Sequence, residues 1–415
     1  MSPIQEELTM LTYEQALERI LKATASPQVT VVKLKALLGL ALARPIIARC
    51  DLPRFDNSAV DGYALQLQDV PQSTNGTSPH PTWRVVGTAE AGRPFNHPVR
   101  KAEAVRILTG AYVPPGADAV VMQEHVMRRN NHLVIQRWPI PGQNVRRRGE
   151  DLRKGTRILK AGTLLRPQDI GLLAALGYRE APVYQRPIVA VLVTGNEVRP
   201  PGASLKPGQI YESNGAMLSA LVQQAGARAV RLGRVRDVFH PLVEKIRKGL
   251  TYDILLISGG VSVGEKDFVR RAARRCGIKP IFWQVNIKPG MPLFFGTRGR
   301  TLVFGLPGNP VSVFVTFEEF VKPALFQLMG RGWEDPYAEP AVLTEDLRVS
   351  RTRRTHFIRV RCSQHNQLVA EPLDGQGSHR LRSLVEADGW IRVISSESPW
   401  SAGTQTFVKR ESTRW

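Results

Sequence analysis

The residues best suited to chemistry in this 415-residue chain fall in one stretch, Ser258-Gly-Gly-Val-Ser-Val-Gly-Glu-Lys-Asp267. An apolar run, Ile254-Leu-Leu-Ile257, precedes it and helical spacing follows. A strand, a glycine-rich turn and a helix in that order make an anion cradle. Glycines let the backbone approach a phosphate, and the helix start turns unpaired N–H groups toward it. Gly259, Gly260 and Ser262 would line the cradle, and Asp267 could hold a metal ion beside the phosphate. A purely structural tight turn would use the same glycines.

Gly305-Leu-Pro-Gly-Asn-Pro310 is a second candidate anion turn. Pro307 and Pro310 stiffen the chain around Gly308, and the last proline opens a helix; a plain strand-to-helix connector reads the same way. Lys288, in Ile287-Lys-Pro-Gly290, sits on a turn that can aim its ammonium at the same place, or it is a surface lysine. Upstream, Asp56-Asn-Ser-Ala-Val-Asp-Gly-Tyr63 carries two carboxylates five apart before a glycine, as a site or as turn chemistry. Arg146-Arg-Arg-Gly-Glu-Asp151 sets three guanidiniums beside two carboxylates, as an oxyanion seat or a solvated charge run. No Ser-His-Asp set, Cys-His set or H-E-x-x-H motif is present, which disfavours nucleophilic and zinc hydrolysis.

These residues need elements to position them. A capping box at Thr12 and Gln15 opens a short amphipathic helix with Leu17, Ile20 and Leu21, and a second helix spans Pro167 to Gly177. Between them, residues 66–82 read as a loop. Strand-like runs follow at Trp83–Gly87, Ala104–Leu108 and Ala119–Met122, with a hairpin turning at Asn130-Asn131. From residue 187, apolar runs at Ile188–Val193, Ala229–Val235, Ile254–Ile257 and Leu302–Phe304 alternate with helices from Ser213 and from Asn309-Pro310. That alternation predicts a parallel sheet covered on both faces, with ligand at the carboxyl ends of its strands. Three loops follow strands there: Thr194-Gly-Asn-Glu-Val198, the glycine loop and Gly305–Pro310. Beyond Pro336, Val342–Val349, Thr355–Arg361, Leu368–Pro372, Trp390–Ile394 and Thr404–Val408 predict a small barrel or sandwich.

The expected class is therefore α/β plus β, in three parts. These are an N-terminal region 1–182 with a β-rich insertion at about 66–140, an α/β domain 183–332 and a C-terminal β-barrel 333–415. No apolar run approaches the roughly 18–20 residues that span a bilayer, and the N-terminus carries no secretory pattern. Cys50, Cys276 and Cys362 lie too far apart for a disulfide framework or a zinc site, which fits a reducing cytoplasm. Net charge is +21, yet the basic residues are spread along the chain without a nucleic-acid signature, so specific nucleic-acid binding is disfavoured.

Taken together, six segments closely resemble, in order, the molybdopterin molybdenumtransferase family, which comprises bacterial MoeA and the gephyrin E domain. They are Phe55–Tyr63, Leu108-Thr-Gly110, Gly142–Asp151, 258–267, Ile287–Gly290 and Gly305–Pro310. The resemblance runs from about residue 10 to 410. It implies an elongated, four-part, homodimeric subunit whose α/β part holds the pterin. Molybdenum from molybdate is inserted into adenylylated molybdopterin with Mg²⁺, and AMP leaves. The implied catalytic positions are Asp61, Asp151, Glu197, Asp237 and Asp267, with Asp267 and Glu197 at the metal. Thr109, Arg146, Lys288, Pro307, Pro310, Arg354 and Ser378 match further important positions, beside Gly259, Gly260, Ser262 and Gly308 of the two turns. Other cofactor-biosynthesis proteins, an adenylyltransferase among them, are implied partners. Where many members carry two further lysines, this chain has Gln284 and Met291.

Two other readings compete. The sibling adenylyltransferase usually reads G-G-T-G in the glycine loop and lacks the long N-terminal unit. A receptor-clustering scaffold would need the additional domain and linker of gephyrin, which nothing here resembles.

Overall fold

The computed structural model describes residues 10–67, 82–260, 268–349, 354–364, 366–394 and 399–410. Ser262 and Asp267 lie outside the described residues, as does most of the 66–82 loop. The chain forms two compact units. One gathers the described residues up to Ala43, Gly162–Arg166 and those from Glu180 onward; the other comprises Arg44–Ala161 and Pro167–Arg179.

The first unit is built on a six-stranded sheet. Its strands are β1 (Ile188–Thr194), β2 (Arg228–Val235), β3 (Ile254–Ser258), β4 (Lys279–Gln284), β5 (Pro292–Arg298) and β6 (Thr301–Leu306), in the order β2-β1-β3-β6-β5-β4. The first four in that order run parallel, whereas β5 and β4 add an antiparallel edge. The expected α/β sheet is thus mixed. Apolar alternation alone did not reveal β4 and β5, because Pro280 and Pro292 interrupt their runs and shifts break the β4–β5 register.

Helices α1 (Asn214–Gln224) and α4 (Pro310–Thr316) cover one face, packing on Val189, Val191, Ile254 and Leu256. Helices α2 (Phe239–Gly249) and α3 (Phe268–Arg275) cover the other, on Ala190, Leu192, Leu255 and Ile257. Successive strand side chains point to opposite faces, so a strand buried on both reads as an unbroken apolar run. β3 is buried along its whole length; truncating Leu256 to Ala there would cost about 2–5 kcal/mol.

The N-terminal helix Tyr13–Ala23 has the expected capping box, with Gln15 N donating to Thr12 Oγ1 and Thr12 N to Gln15 Oε1. Its buried stripe is Tyr13, Ala16 and Ile20, while Leu17 is only partly buried. The C-terminal segment closes a five-stranded barrel from Glu339–Leu343, Thr355–Gln364, Leu368–Pro372, Gly389–Ile394 and Gln405–Arg410. Its first strand lies nearer the N-terminus than the expected Val342–Val349. Ile287–Lys288 pairs with the barrel strand Thr355–Gln364, setting Lys288 opposite His356.

The second unit holds a six-stranded sheet in the order Ala119–Met122, Gly62–Leu65, Glu103–Ile107, Thr82–Ala89, His132–Ile135, Val126–Arg129. In the segment Asp56–Tyr63, for which a site and turn chemistry were the two alternatives, Gly62 opens the fully buried inner strand Gly62–Leu65. Gly62 is required there, since a Cβ would lie 2.0 Å from the carbonyl oxygen of Val121 on the neighbouring strand. Among the described residues no helix is long and apolar enough to cross a membrane.

Candidate active site

A cleft of about 1140 Å³ opens in the first unit where the parallel strands end. Its wall is assembled from loops that the fold brings to one place. The loop after β1 contributes Glu197, and the loop after β2 contributes Asp237. The turn after β3 contributes Gly259 and Gly260, and the turn after β6 contributes Pro307, Gly308 and Pro310. Lys288 enters from the connection between β4 and β5, and Arg354 and Ser378 from the barrel segment. Every candidate of this unit among the described residues therefore lines one cavity.

The glycine turn is held by close backbone approach. Gly259 has φ +92°, and a Cβ there would lie 2.7 Å from the carbonyl oxygen of Thr194; Gly260 has φ +68°. Only glycine takes such positions without strain. The Gly259 N–H donates to the Leu306 carbonyl at 3.1 Å, so it is used structurally and is not offered to a ligand. The amides of Gly260, Gly308 and Asn309 have no backbone partner among the described residues. Val311 N, in the first turn of α4, donates to the Ser378 carbonyl, and Asn309 Nδ2 donates to Ser378 Oγ at 2.9 Å. The barrel loop is thereby fastened to the second anion turn.

Sequence reading missed the residue that joins the two turns. Asn214, at the start of α1, donates through Nδ2 to Ser258 Oγ at 3.1 Å and to the Gly308 carbonyl at 2.7 Å. Its Oδ1 is buried without a hydrogen-bond partner among the described residues and belongs to a side chain lining the cleft. The available signal was an Asn at a helix start, where capping is the usual meaning. The capping acceptor is in fact Glu212, which accepts from Gly215 N and from Arg231.

Also missed was the loop support beneath Ser378. Gln376 Nε2 donates to the carbonyls of Arg359 and Leu373, and its Oε1 accepts from Arg359 N. The Arg359 guanidinium is fully buried and donates to the Gly375 carbonyl, while its Nε and Nη1 have no hydrogen-bond partner among the described residues. Burial pushes this guanidinium down to about 10.

The electrostatics divide the cleft in two. At one side the Asp237 carboxyl is raised by burial and by the Glu197 carboxylate. At the other, Lys288 and Arg354 bring two cations, and His356 lies beneath them at 3% exposure. Burial, then Lys288 and Arg354, push His356 down to about 4, so this imidazole stays neutral at neutral pH. Met291 lines the cleft, whereas Gln284 is half-buried at the end of β4.

The remaining candidates belong to the second unit. Asp61 Oδ1 accepts from both the N–H and the hydroxyl of Thr109, each at 2.7 Å. Those bonds hold its carboxyl below the usual range. Of the three adjacent guanidiniums, Arg147 pairs with Asp56 and Arg148 with Asp51. Arg146 is exposed and makes no ion pair among the described residues. Asp151 is likewise exposed, its backbone N–H donating to the Leu52 carbonyl. Two members of the arginine run are therefore structural and one is available.

Three family models match the chain in succession: the MoeA N-terminal region (domain I and II) over residues 11–177, a probable molybdopterin binding domain over 190–327, and the MoeA C-terminal region (domain IV) over 340–408. A molybdopterin molybdenumtransferase of Haemophilus influenzae is 36% identical over 96% of this chain and 98% of its own length. Molybdopterin molybdenumtransferase 2 of Mycobacterium tuberculosis is 38% identical over 89% and 92% respectively. A crystal structure of the molybdopterin biosynthesis MoeA protein from Pyrococcus horikoshii superposes with a TM-score of 0.83 at 31% identity, covering 97% of this chain and 99% of that one.

Proposed function

The chain belongs to the MoeA family of molybdopterin molybdenumtransferases, and from that premise we propose how its cleft inserts molybdenum into molybdopterin. The observation that carries the reading is the convergence of two anion turns, two cations and two carboxylates on one cavity at the strand ends. Adenylylated molybdopterin lies with its pyrophosphate against the Gly260 and Gly308–Asn309 amides. Asn214 keeps the two turns in register. Lys288 and Arg354 attract molybdate, a dianion, and Ser378 fixes the loop beside it. Water attacks the phosphoanhydride; its oxygen stays on one phosphate, the P–O bond to the other breaks, and AMP leaves. The two pterin thiols then displace one oxo group of molybdate, which departs with their two protons as water, so the metal keeps its oxidation state.

The donors present fit Mg²⁺, a hard cation that takes one or two carboxylates together with substrate phosphates. Glu197 and Asp237 face each other closely enough to raise Asp237. Among the described residues no cluster of three or more metal-ligating side chains exists. Glu197 and Asp237, with Asp267 as the family resemblance implies, would hold Mg²⁺, whose chemistry would be to neutralise charge on the anhydride. Asp61, Thr109, Arg146 and Asp151 act in the same reaction in this reading. The protein works as a cytoplasmic homodimer, receiving its nucleotide substrate from an adenylyltransferase.

The test is AMP release from adenylylated molybdopterin, followed by chromatography with and without molybdate and Mg²⁺. Release should require both. Lys288→Ala and Arg354→Ala should raise the molybdate concentration needed, and Asp237→Asn should raise the Mg²⁺ concentration needed. Release that ignores molybdate, or is unchanged in all three variants, overturns the assignment. Light scattering of the purified chain tests the dimer.

A further inference from the structure

The cleft uses few of the chain's cations, and the fold collects many of the others on one edge of the central sheet. Between parallel strands a helix runs back against the strand direction, so its C-terminus lies where the strands begin, opposite the ligand end. The last turn of α2 carries Arg247 and Lys248 there, and the last turn of α3 carries Arg274 and Arg275. β4 is antiparallel to β5, which is antiparallel to β6, so β4 also starts at that edge, with Lys279. The turn from β5 into β6 adds Arg298 and Arg300. All are exposed, and none pairs with a carboxylate among the described residues. Arg247, Arg275 and Arg298 all act on the buried Cys276 thiol, so α2, α3 and the hairpin tip converge.

Cations in the last turn of a helix offset the helix dipole. That accounts for the α2 and α3 residues but not for Lys279, Arg298 and Arg300, which lie on strand ends and a turn. The chemistry of the rim narrows its partner. No large apolar side chain is exposed among the described residues of 239–300, whereas a protein interface needs a desolvated apolar centre. The ring at that edge, Tyr252 just before β3, is packed against the layer under α2 and α3, so it is a poor platform for unpaired bases. What remains is a row of guanidiniums and ammoniums suited to backbone phosphates. We propose that this rim docks a DNA duplex through its phosphate backbone, without reading sequence, while the cleft stays open on the opposite edge.

Fluorescence anisotropy of the full chain with a labelled duplex of about 20 base pairs, between about 50 and 200 mM salt, tests this. Binding should fall with a log–log salt slope steeper than about −4. Arg274→Glu/Arg298→Glu/Arg300→Glu should weaken it at least about tenfold at low salt and flatten the slope by about three. The triple Gln variant should act in the same direction, molybdenum insertion should be unchanged, and Arg128→Glu/Arg129→Glu on the second unit should bind like the parent. Absence of binding at low salt overturns the proposal, as does equal loss in the second-unit variant. So does tighter binding of single strands, or displacement of the duplex by poly-glutamate of equal charge at lower concentration.

Discussion

The ammonium of Lys409, on the last barrel strand, lies 2.8 Å from Oε1 of Glu319, which sits in the π-helical turn Phe317–Val321 following α4. Both side chains are less than a tenth exposed. Lys409 also reaches Glu318 at 3.0 Å, and the hydroxyls of Tyr13 and Tyr337 donate to Glu319. One buried cation thus ties the barrel and the N-terminal helix to the helix that opens at the second anion turn.

Removing that cation leaves Glu318 with Lys322 and leaves Glu319, among the described residues, with the two tyrosine hydroxyls but no cation. Lys409→Met should therefore destabilise the protein by about 3–5 kcal/mol in denaturant unfolding. A loss below about 1 kcal/mol would show the cluster to be relaxed by solvent. Despite burial, the two glutamates raise Lys409 to about 12, and the lysines lower Glu318. The cluster's stabilisation is full below the lysine's ordinary 10.5 and lost as pH rises through about 12. At the acid end it is lost as pH falls below 4.5, the ordinary value for Glu318.

Asn214→Ala removes the bonds that join Ser258 and Gly308 across the cleft. Loosening two anion turns together should lower kcat/KM for the nucleotide substrate by about 10- to 100-fold, with the fold intact by circular dichroism. Asn214→Asp keeps an acceptor but loses the donor, and should be no better. Wild-type kinetics in either variant would make this residue a mere helix cap.

Arg359 is a positioning residue, acting on Ser378 through the Gly375–Gln376 backbone and side-chain bonds. Arg359→Lys should raise KM for molybdate about tenfold while kcat changes much less, and Gln376→Ala should follow the same pattern. A fall in apparent kcat with KM unchanged for both substrates, tracking a lower melting temperature, would mean general destabilisation instead.

His356 predicts an acid-sensitive stability. Its pKa falls from 6.5 to about 4 on folding, so between those values the unfolded chain binds the extra proton. The stabilisation is complete above about pH 6.5 and is lost as pH falls toward 4, at a cost of up to about 3 kcal/mol. His356→Gln should flatten that limb of the stability–pH curve. An unchanged limb would show that the imidazole titrates normally in the folded protein.

How much of this was legible beforehand follows from the range over which each signal acts. Local rules are written in neighbouring residues: the capping box at Thr12 and Gln15, the β3–glycine turn, Pro310 at the start of α4, and the apolar runs of the parallel strands. The ordered motifs then identified the family. Whatever depended on distant partners was hidden. Gly62 is a glycine because Val121 passes 59 positions away in sequence. Asn214 is more than a cap only because Ser258 and Gly308 fold against it. Arg147 and Arg148 are structural because Asp56 and Asp51 meet them.

Sequence by itself determined the chemistry available: two stiff turns able to bind anions, the acids and cations around them, and a large positive charge. Tertiary structure decided which of those groups share a cavity, which amide is already committed, and on which edge of the sheet the unused cations collect. The reason is that hydrogen bonding and Coulomb attraction act over a few ångströms in space, whereas sequence orders residues only along the chain.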